Sequence, residues 1–587
     1  MKTMTRAAAI AAAAVLAGAC GTRPDPVTPD QNTAFEAHAV ALVDRFLDRN
    51  PEWSIYAGRY DNAHRMTVPD AARRADDLAF AEAELAALDR FDPNALDAGN
   101  RTDYELIRNR IEASRWYQTE FRSHEWNPAQ YNVAGPIGLL LNTDFAPLEQ
   151  RLEAVSTRLS RVPDYYAAAR DNIGTPTLEH TRLAVQQSQG ALALLGEGTA
   201  RRAAESQLAD DDKAEFAERL EAARAAVSEW IDWLRATEAR LVADGNARPF
   251  RIGEALYEQK FAYDIQSGYS ARELYERALV EKERLHTQMD AITVALWPKY
   301  FPSIDMPSDR LERIGALIDH LSARHVARDG YFDEINRQIP LLAAFVAEHD
   351  LLDQDPTKPL IVRETPLYMR GSGAGASVSA PGPFNPGADT FYNVTPLDRF
   401  SDEQAESYLR EYNHWILQIL NIHEAIPGHY TQLVHANRSP SIVKALFGNG
   451  AMVEGWAVYA ERMMLEEGWG DQEPEMWLMY GKWNLRVVVN AILDYAVHVH
   501  GAGEQEILAL LRREAFQERT EATEKWRRAT LSQVQLTSYF AGYAEIYDFR
   551  EALKREMGVD FVLRDFHNEF LSYGRAPVRV IRELMQE

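Results

Sequence analysis

From about Ala34 onward, apolar residues recur at three- and four-residue spacing over most of the chain, the pattern of amphipathic helices. "DDLAFAEAELAALDRF", "TRLSRVPDYYAAARDNI" and "AEFAERLEAARAAVSEWIDWLRATEARLVADG" are clear cases, and the last ends on Gly245, a natural helix C-cap. Between about Pro359 and Asp398 the pattern changes. There "LIVRETPLYM" and "DTFYNV" are rich in β-branched and aromatic residues and predict short strands. The intervening "GSGAGASVSAPGPFNPG" spaces Gly371, Gly373 and Ala376 as in a dinucleotide loop, but Pro381, Pro383 and Pro386 forbid the helix such a loop must open. It reads as a flexible loop between two strands. From Ser401 the helical period returns, so the fold is expected to be mostly α with a small β element.

No Ser/Gly linker, charge block or repeat divides the chain. Residues 34–587 read as one helical domain, with a scaffold lobe over 34–358, a β/loop segment over 359–400 and a chemically loaded lobe over 401–587. The first 33 residues stand apart. In "MKTMTRAAAIAAAAVLAGAC", Lys2 and Arg6 precede an apolar run that is too short to span a bilayer and fits a secretory signal. Gly18 and Ala19 directly before Cys20 make it resemble a bacterial lipoprotein signal. Residues 1–19 are therefore expected to be removed, Cys20 to carry lipid, and residues 20–33, rich in Pro, Asp and Thr, to form a flexible tether. This places the protein in the cell envelope, facing the periplasm and held to a membrane by the lipid alone. Cys20 is the single cysteine, so the mature chain has no disulfide.

At 46% hydrophobic and 26% charged, the composition is that of an ordinary soluble protein. The formal net charge of −25, which loss of Lys2 and Arg6 takes to −27, argues against a nucleic-acid partner.

The chemistry concentrates in "NIHEAIPGHY". His423 and Glu424 are adjacent as in an H-E-x-x-H zinc motif, but the next histidine, His429, comes six positions after the first. On a straight helix, six residues end about 120° off the starting face. Pro427, however, lies four residues after His423, where its ring clashes with the helix, and Gly428 follows. A kink or bulge there absorbs the two extra residues. Glu454, twenty-five residues beyond His429 in "MVEGWAVYAERMM", is the third candidate ligand, leaving a position open for water. Glu461, seven positions later on the same face, can buttress a ligand.

"HEAIPGH" followed by "EGWAVYAE", "LRVVVNAILDYAVHVHG", "TSYFAGYAEIYDFREALKREMG" and "DFHNEFLSYGRAPVRVI" resembles a bacterial family catalogued as domain-of-unknown-function family 885. That family is similar to the helical gluzincin peptidases, such as thimet oligopeptidase and angiotensin-converting enzyme. The resemblance implies a two-lobed helical shell around a deep central cleft. It also implies His423, His429 and Glu454 as metal ligands and Glu424 as general base. Tyr539, after the Ser of a Ser-Tyr pair, is implied as a donor to an oxyanion. Asn490 stands where the family often has Arg.

In "LRVVVNAILDYAVHVHG", Arg486, Asn490, Asp494 and His498 fall at intervals of four and form one polar stripe on an apolar helix. Buried polar groups need partners, so the stripe is expected to face a wet cleft, with Asp494 holding His498 as a second oxyanion donor. These readings converge on a lipid-anchored zinc metallopeptidase acting on short peptides, with one zinc per chain, although two His and a Glu also suit other divalent ions. The alternatives are a zinc amidase on a non-peptide or cell-wall-derived substrate, and a non-catalytic binding lipoprotein.

Overall fold

A computed structural model describes residues 30–365, 376–379, 382–384, 389–439 and 441–587. The expected signal segment, Cys20, Gly371 and Gly373 lie outside the described residues. The fold is mostly α with one small sheet. The first helix, Gln31–Arg49, begins inside the expected tether, because the Asp30 side chain accepts from the backbone N–H groups of Asn32 and Thr33 and so caps it. The long Asp210–Asp244 helix ends at Gly245, whose φ of +59° is the left-handed cap that its sequence predicts.

The apolar faces gather into two principal cores. One is built by residues between Ile55 and Leu234 and includes the fully buried Trp230. The other runs from Phe250 to Ile581 and contains the helices that carry the candidate ligands. Helices Gly253–Asp264, Ala271–Tyr300, Arg310–Ser322 and Tyr331–Glu348 belong to this second core, which therefore begins near residue 250, inside the stretch read as the scaffold lobe over 34–358. A smaller core joins the first helix to Val443 and Phe447, which ties the N-terminal helices to the segment just after His429.

The sheet has three strands in the order β1 (Leu360–Glu364), β3 (Thr390–Val394), β2 (Ala376–Ser379). β3 pairs parallel with β1 and antiparallel with β2. β2 lies inside the segment expected to be loop. Its four residues carry too little apolar alternation to be read as a strand, and pairing with β3 supplies what the local sequence lacks. From β3, the fully buried Tyr392 donates to Asn421 Oδ1 at 2.8 Å, and Asn421 Nδ2 donates to Gln338 Oε1 at 2.7 Å. The sheet is thus pinned two residues before His423. Among the described residues, no helix is long and apolar enough to cross a membrane.

Candidate metal centre

The chain between the two histidines leaves the helical path entirely. Helix Ile416–Glu424 ends at Ala425, and a separate helix, His429–Ala436, begins five residues after Glu424. Gly428 N–H turns back to the Ile422 carbonyl at 3.0 Å. A Cβ at Gly428 would overlap the carbonyl oxygens of Ile422 and His423, so glycine is needed here for space, its φ of −73° being open to any residue. Trp456, fully buried, donates its indole N–H to the Pro427 carbonyl at 2.9 Å and fixes the break against the helix that bears Glu454.

That helix, Gly450–Glu466, is capped by the Asn449 side chain on Met452 N–H at 2.7 Å. It crosses helix Ser538–Met557 at Gly455 and Gly542, where a Cβ on either residue would collide with the other helix's backbone. Two side-chain-free positions allow the backbones to touch, which fixes the depth of Glu454.

The result is convergence. His423, His429 and Glu454 each offer a ligand atom within 4.8 Å of the other two. Glu454 Oε2 is 3.4 Å from His429 Nε2 and 3.8 Å from His423 Nε2. Ligands around a tetrahedral zinc with bonds of 2.0–2.1 Å stand roughly 3.4 Å apart, so the three atoms fit such an ion with small adjustment. Their side chains are 11, 13 and 27% exposed for His423, His429 and Glu454, which leaves the centre recessed but reachable.

Glu461, fully buried, stands behind His423 with Oε1 2.7 Å from Nδ1. A proton on Nδ1 donated to this carboxylate leaves Nε2 with its lone pair directed at Glu454, the arrangement that orients a metal-ligating histidine. Burial works against a charged His423, yet hydrogen bonds to Glu454 and Glu461 raise its pKa well above the usual range. Burial likewise disfavours the Glu454 carboxylate, and the two imidazoles outweigh it and hold that pKa well below normal. Such mutual attraction of ligand atoms is what a bound cation replaces. Glu424 is half-buried, and burial raises its pKa against the opposing pull of His429 and His423.

The polar stripe does not face this centre along its length. Arg486 does lie near it, with its guanidinium 4.6 Å over the Trp483 ring, and Trp483 borders Glu461. Asn490 is buried with its Oδ1 unpartnered among the described residues. Asp494 and His498 are sealed, each with a side chain 0% exposed. His498 lies in a π-turn, Ala496–His500, that rotates it off the regular helix. Its Nε2 serves the carbonyls of Ala529 at 2.8 Å and Ser532 at 3.0 Å. Asp494 Oδ1 is 3.6 Å from that nitrogen, beyond a hydrogen bond, and Asp494 Oδ2 accepts from Leu536 N–H at 3.1 Å. The expectation that His498 stabilises an oxyanion with Asp494 behind it is therefore corrected. Both groups anchor the helix Arg519–Leu531 and the turn after it. Burial lowers His498 to about 4 and raises Asp494 to about 7. Tyr539 is half-buried at the start of its helix, with its hydroxyl 3.5 Å from Arg528 Nη2.

Sequence reasoning missed the Tyr392–Asn421–Gln338 lock, Trp456, Trp483 and the acidic partners of Arg486. The "EGW" that follows the candidate ligand is the one local signal for Trp456. The others come from distant segments.

A solved structure described as "a putative lipoprotein of unknown function from Shewanella oneidensis" is 54% identical, with a TM-score of 0.89, and the match covers 94% of this chain and 100% of that one. Another, described as "the putative lipoprotein from Colwellia psychrerythraea", is 16% identical with a TM-score of 0.74 over 95% and 99% of the two chains, and shares the fold. No protein of curated function matches. The model of the family described as "Bacterial protein of unknown function (DUF885)" matches residues 51–585, and the chain belongs to that family.

Proposed function

We propose that the protein is a zinc-dependent peptidase of the cell envelope, anchored by lipid on Cys20. The observation that carries the reading is the meeting of two imidazoles and a carboxylate from three separate helices, with Glu461 directing one imidazole inward. A structural ion-pair network has no need of an adjacent, half-buried Glu424 beside that set. Bound by His423, His429 and Glu454, a zinc ion supplies a Lewis acid that polarises a carbonyl. The chain's own residues do the rest. Glu424, its proton affinity raised by burial, takes the proton of an attacking water and returns it to the leaving amine. Glu461 keeps the His423 ring in one tautomer and orientation throughout. Tyr539, half-exposed, is the hydroxyl that the family resemblance implies as a donor to the developing oxyanion. The lipoprotein descriptions of the two similar structures support the anchor.

The test is elemental analysis of the purified protein together with digestion of a peptide library read by mass spectrometry. About one zinc per chain and metal-dependent cleavage are expected. A metal-loaded protein that cleaves no peptide overturns the reading.

A further inference from the structure

Arg575 is half-buried in the turn between helices Leu563–Ser572 and Val578–Met585. Its backbone carbonyl accepts from Asn449 N–H at 2.7 Å, the residue that caps the helix bearing Glu454. Its side chain runs along Gly448, where an added Cβ would stand 2.5 Å from Arg575 Cβ and 3.0 Å from Nε. A glycine of another segment thus sets the path of the guanidinium. Nε is buried without a partner, and among the described residues the side chain makes no hydrogen bond or ion pair. Burial lowers its pKa with no carboxylate to oppose the shift, although a guanidinium keeps its charge. A partly buried cation without a counter-ion is costly until an anion joins it. In a chain of 88 acidic and 63 basic residues, the omission is conspicuous.

Arg575 lines a recess of about 310 Å³, within the range of small-ligand sites. Trp53, Tyr56, Val378, Leu433 and Leu446 supply apolar and aromatic walls, and Arg575 is the only charged residue among those that line it. Arg110 stacks 4.7 Å over the Trp53 ring, so a second guanidinium touches that wall. Such a lining suits a carboxylate carried on an apolar stem. Helix His429–Ala436 turns Thr431, Gln432, His435 and Ala436 into the core, whereas His429 and Leu433 are half-buried and Asn437, just past its end, is exposed. These last three stand four residues apart and form one open stripe. It starts at a candidate ligand and enters the recess at Leu433, one turn or about 6 Å along the axis, with Asn437 also in the lining. An extended peptide advances about 3.3–3.6 Å per residue, so a group at the metal and a group in the recess are about two residues apart. We propose that Arg575 receives the carboxylate of an aspartate or glutamate side chain about two residues from the bond cleaved. This rests on the peptidase reading and names its substrate class, acidic peptides.

The experiment uses the zinc-loaded full chain and short peptides in two series, one with free ends and one acetylated and amidated. Each position in turn carries Glu, Gln or Lys, and mass spectrometry reads the bond cut. Comparing side chains at fixed ends cancels any effect of a terminal charge. About two residues from the cut, Glu should be favoured over Gln by roughly 10- to 100-fold in kcat/KM, mostly through KM, the range of one hydrogen bond to a charged group. Arg575→Met should bring this ratio to within a few-fold of one at unchanged zinc content. Leu433→Glu, which sets a carboxylate in the recess, should turn the preference from Glu to Lys, and it serves if the Arg575 variant folds poorly. Equal cleavage of Glu and Gln peptides by the wild type overturns the proposal while the peptidase reading stands. So does a Glu preference that survives both variants, or one confined to the two residues that flank the cut. If neither series is cleaved, the peptidase reading fails, and calorimetry of the Glu and Gln peptides judges the recess alone. Equal affinity then overturns it, and a Glu preference lost in Arg575→Met upholds it.

Discussion

Glu461 Oε1 stands 2.7 Å from His423 Nδ1, and neither residue is where the other's local sequence would place it, since they lie 38 positions apart on two helices. The carboxylate is fully buried in the second core, where Trp483 also borders it. Glu461→Gln keeps the shape but removes the negative charge facing Nδ1. Zinc affinity should fall about 10- to 100-fold, the usual effect of losing such a partner, as read by competition with a chelator. Unchanged affinity would mean that Glu461 does not orient the ligand.

Gly428→Ala should be far more damaging than a single methyl suggests. The added carbon would overlap two carbonyl oxygens of the His423 helix, which belong to backbone that cannot swing aside. The expected outcome is loss of zinc or of soluble protein, measured by elemental analysis and yield. A variant that binds zinc normally would show that the break between His423 and His429 is not fixed by this contact.

Glu424→Gln separates metal binding from chemistry. The neutral amide cannot accept the water's proton, so hydrolysis should fall by about 10² to 10⁴ while zinc content holds. Near-normal turnover would remove Glu424 from the mechanism.

His498→Ala should leave zinc and kcat close to wild type and lower the melting temperature, because the lost contacts are to the Ala529 and Ser532 carbonyls. A fall in kcat without a fall in stability would return His498 to the active site.

Asp494 gives the pH test. Its folded pKa, near 7 through burial, lies above the unfolded carboxyl value of about 3.9, so folding favours the protonated form. The stabilisation is complete below the unfolded value and is lost as pH rises through 7. His498 acts in the opposite sense: its folded value near 4 lies below the unfolded 6.5, and its contribution is lost as pH falls through that window. Asp494→Asn removes the first effect alone. The melting temperature of the variant relative to wild type should therefore climb between pH 5 and 8. A constant difference across that range would show that Asp494 titrates normally.

The sequence by itself determined most of the elements and singled out the three side chains that meet at the candidate centre. Helical periodicity, the Gly245 cap, the strands at 360–364 and 390–394 and the pairing of Pro427 with an over-long His spacing are local facts, written within a few turns of chain. The pairing of β2 and the start of the second core near residue 250 were not legible, because each is settled by which surfaces pack together. The stripe from Arg486 to His498 shows the limit most clearly. Spacing places these residues on one face of a helix, but which neighbours cover that face depends on a π-turn and on the helix Arg519–Leu531 from farther along the chain. One end of the stripe reaches an ionic cluster beside Glu461 and the other is buried on backbone carbonyls.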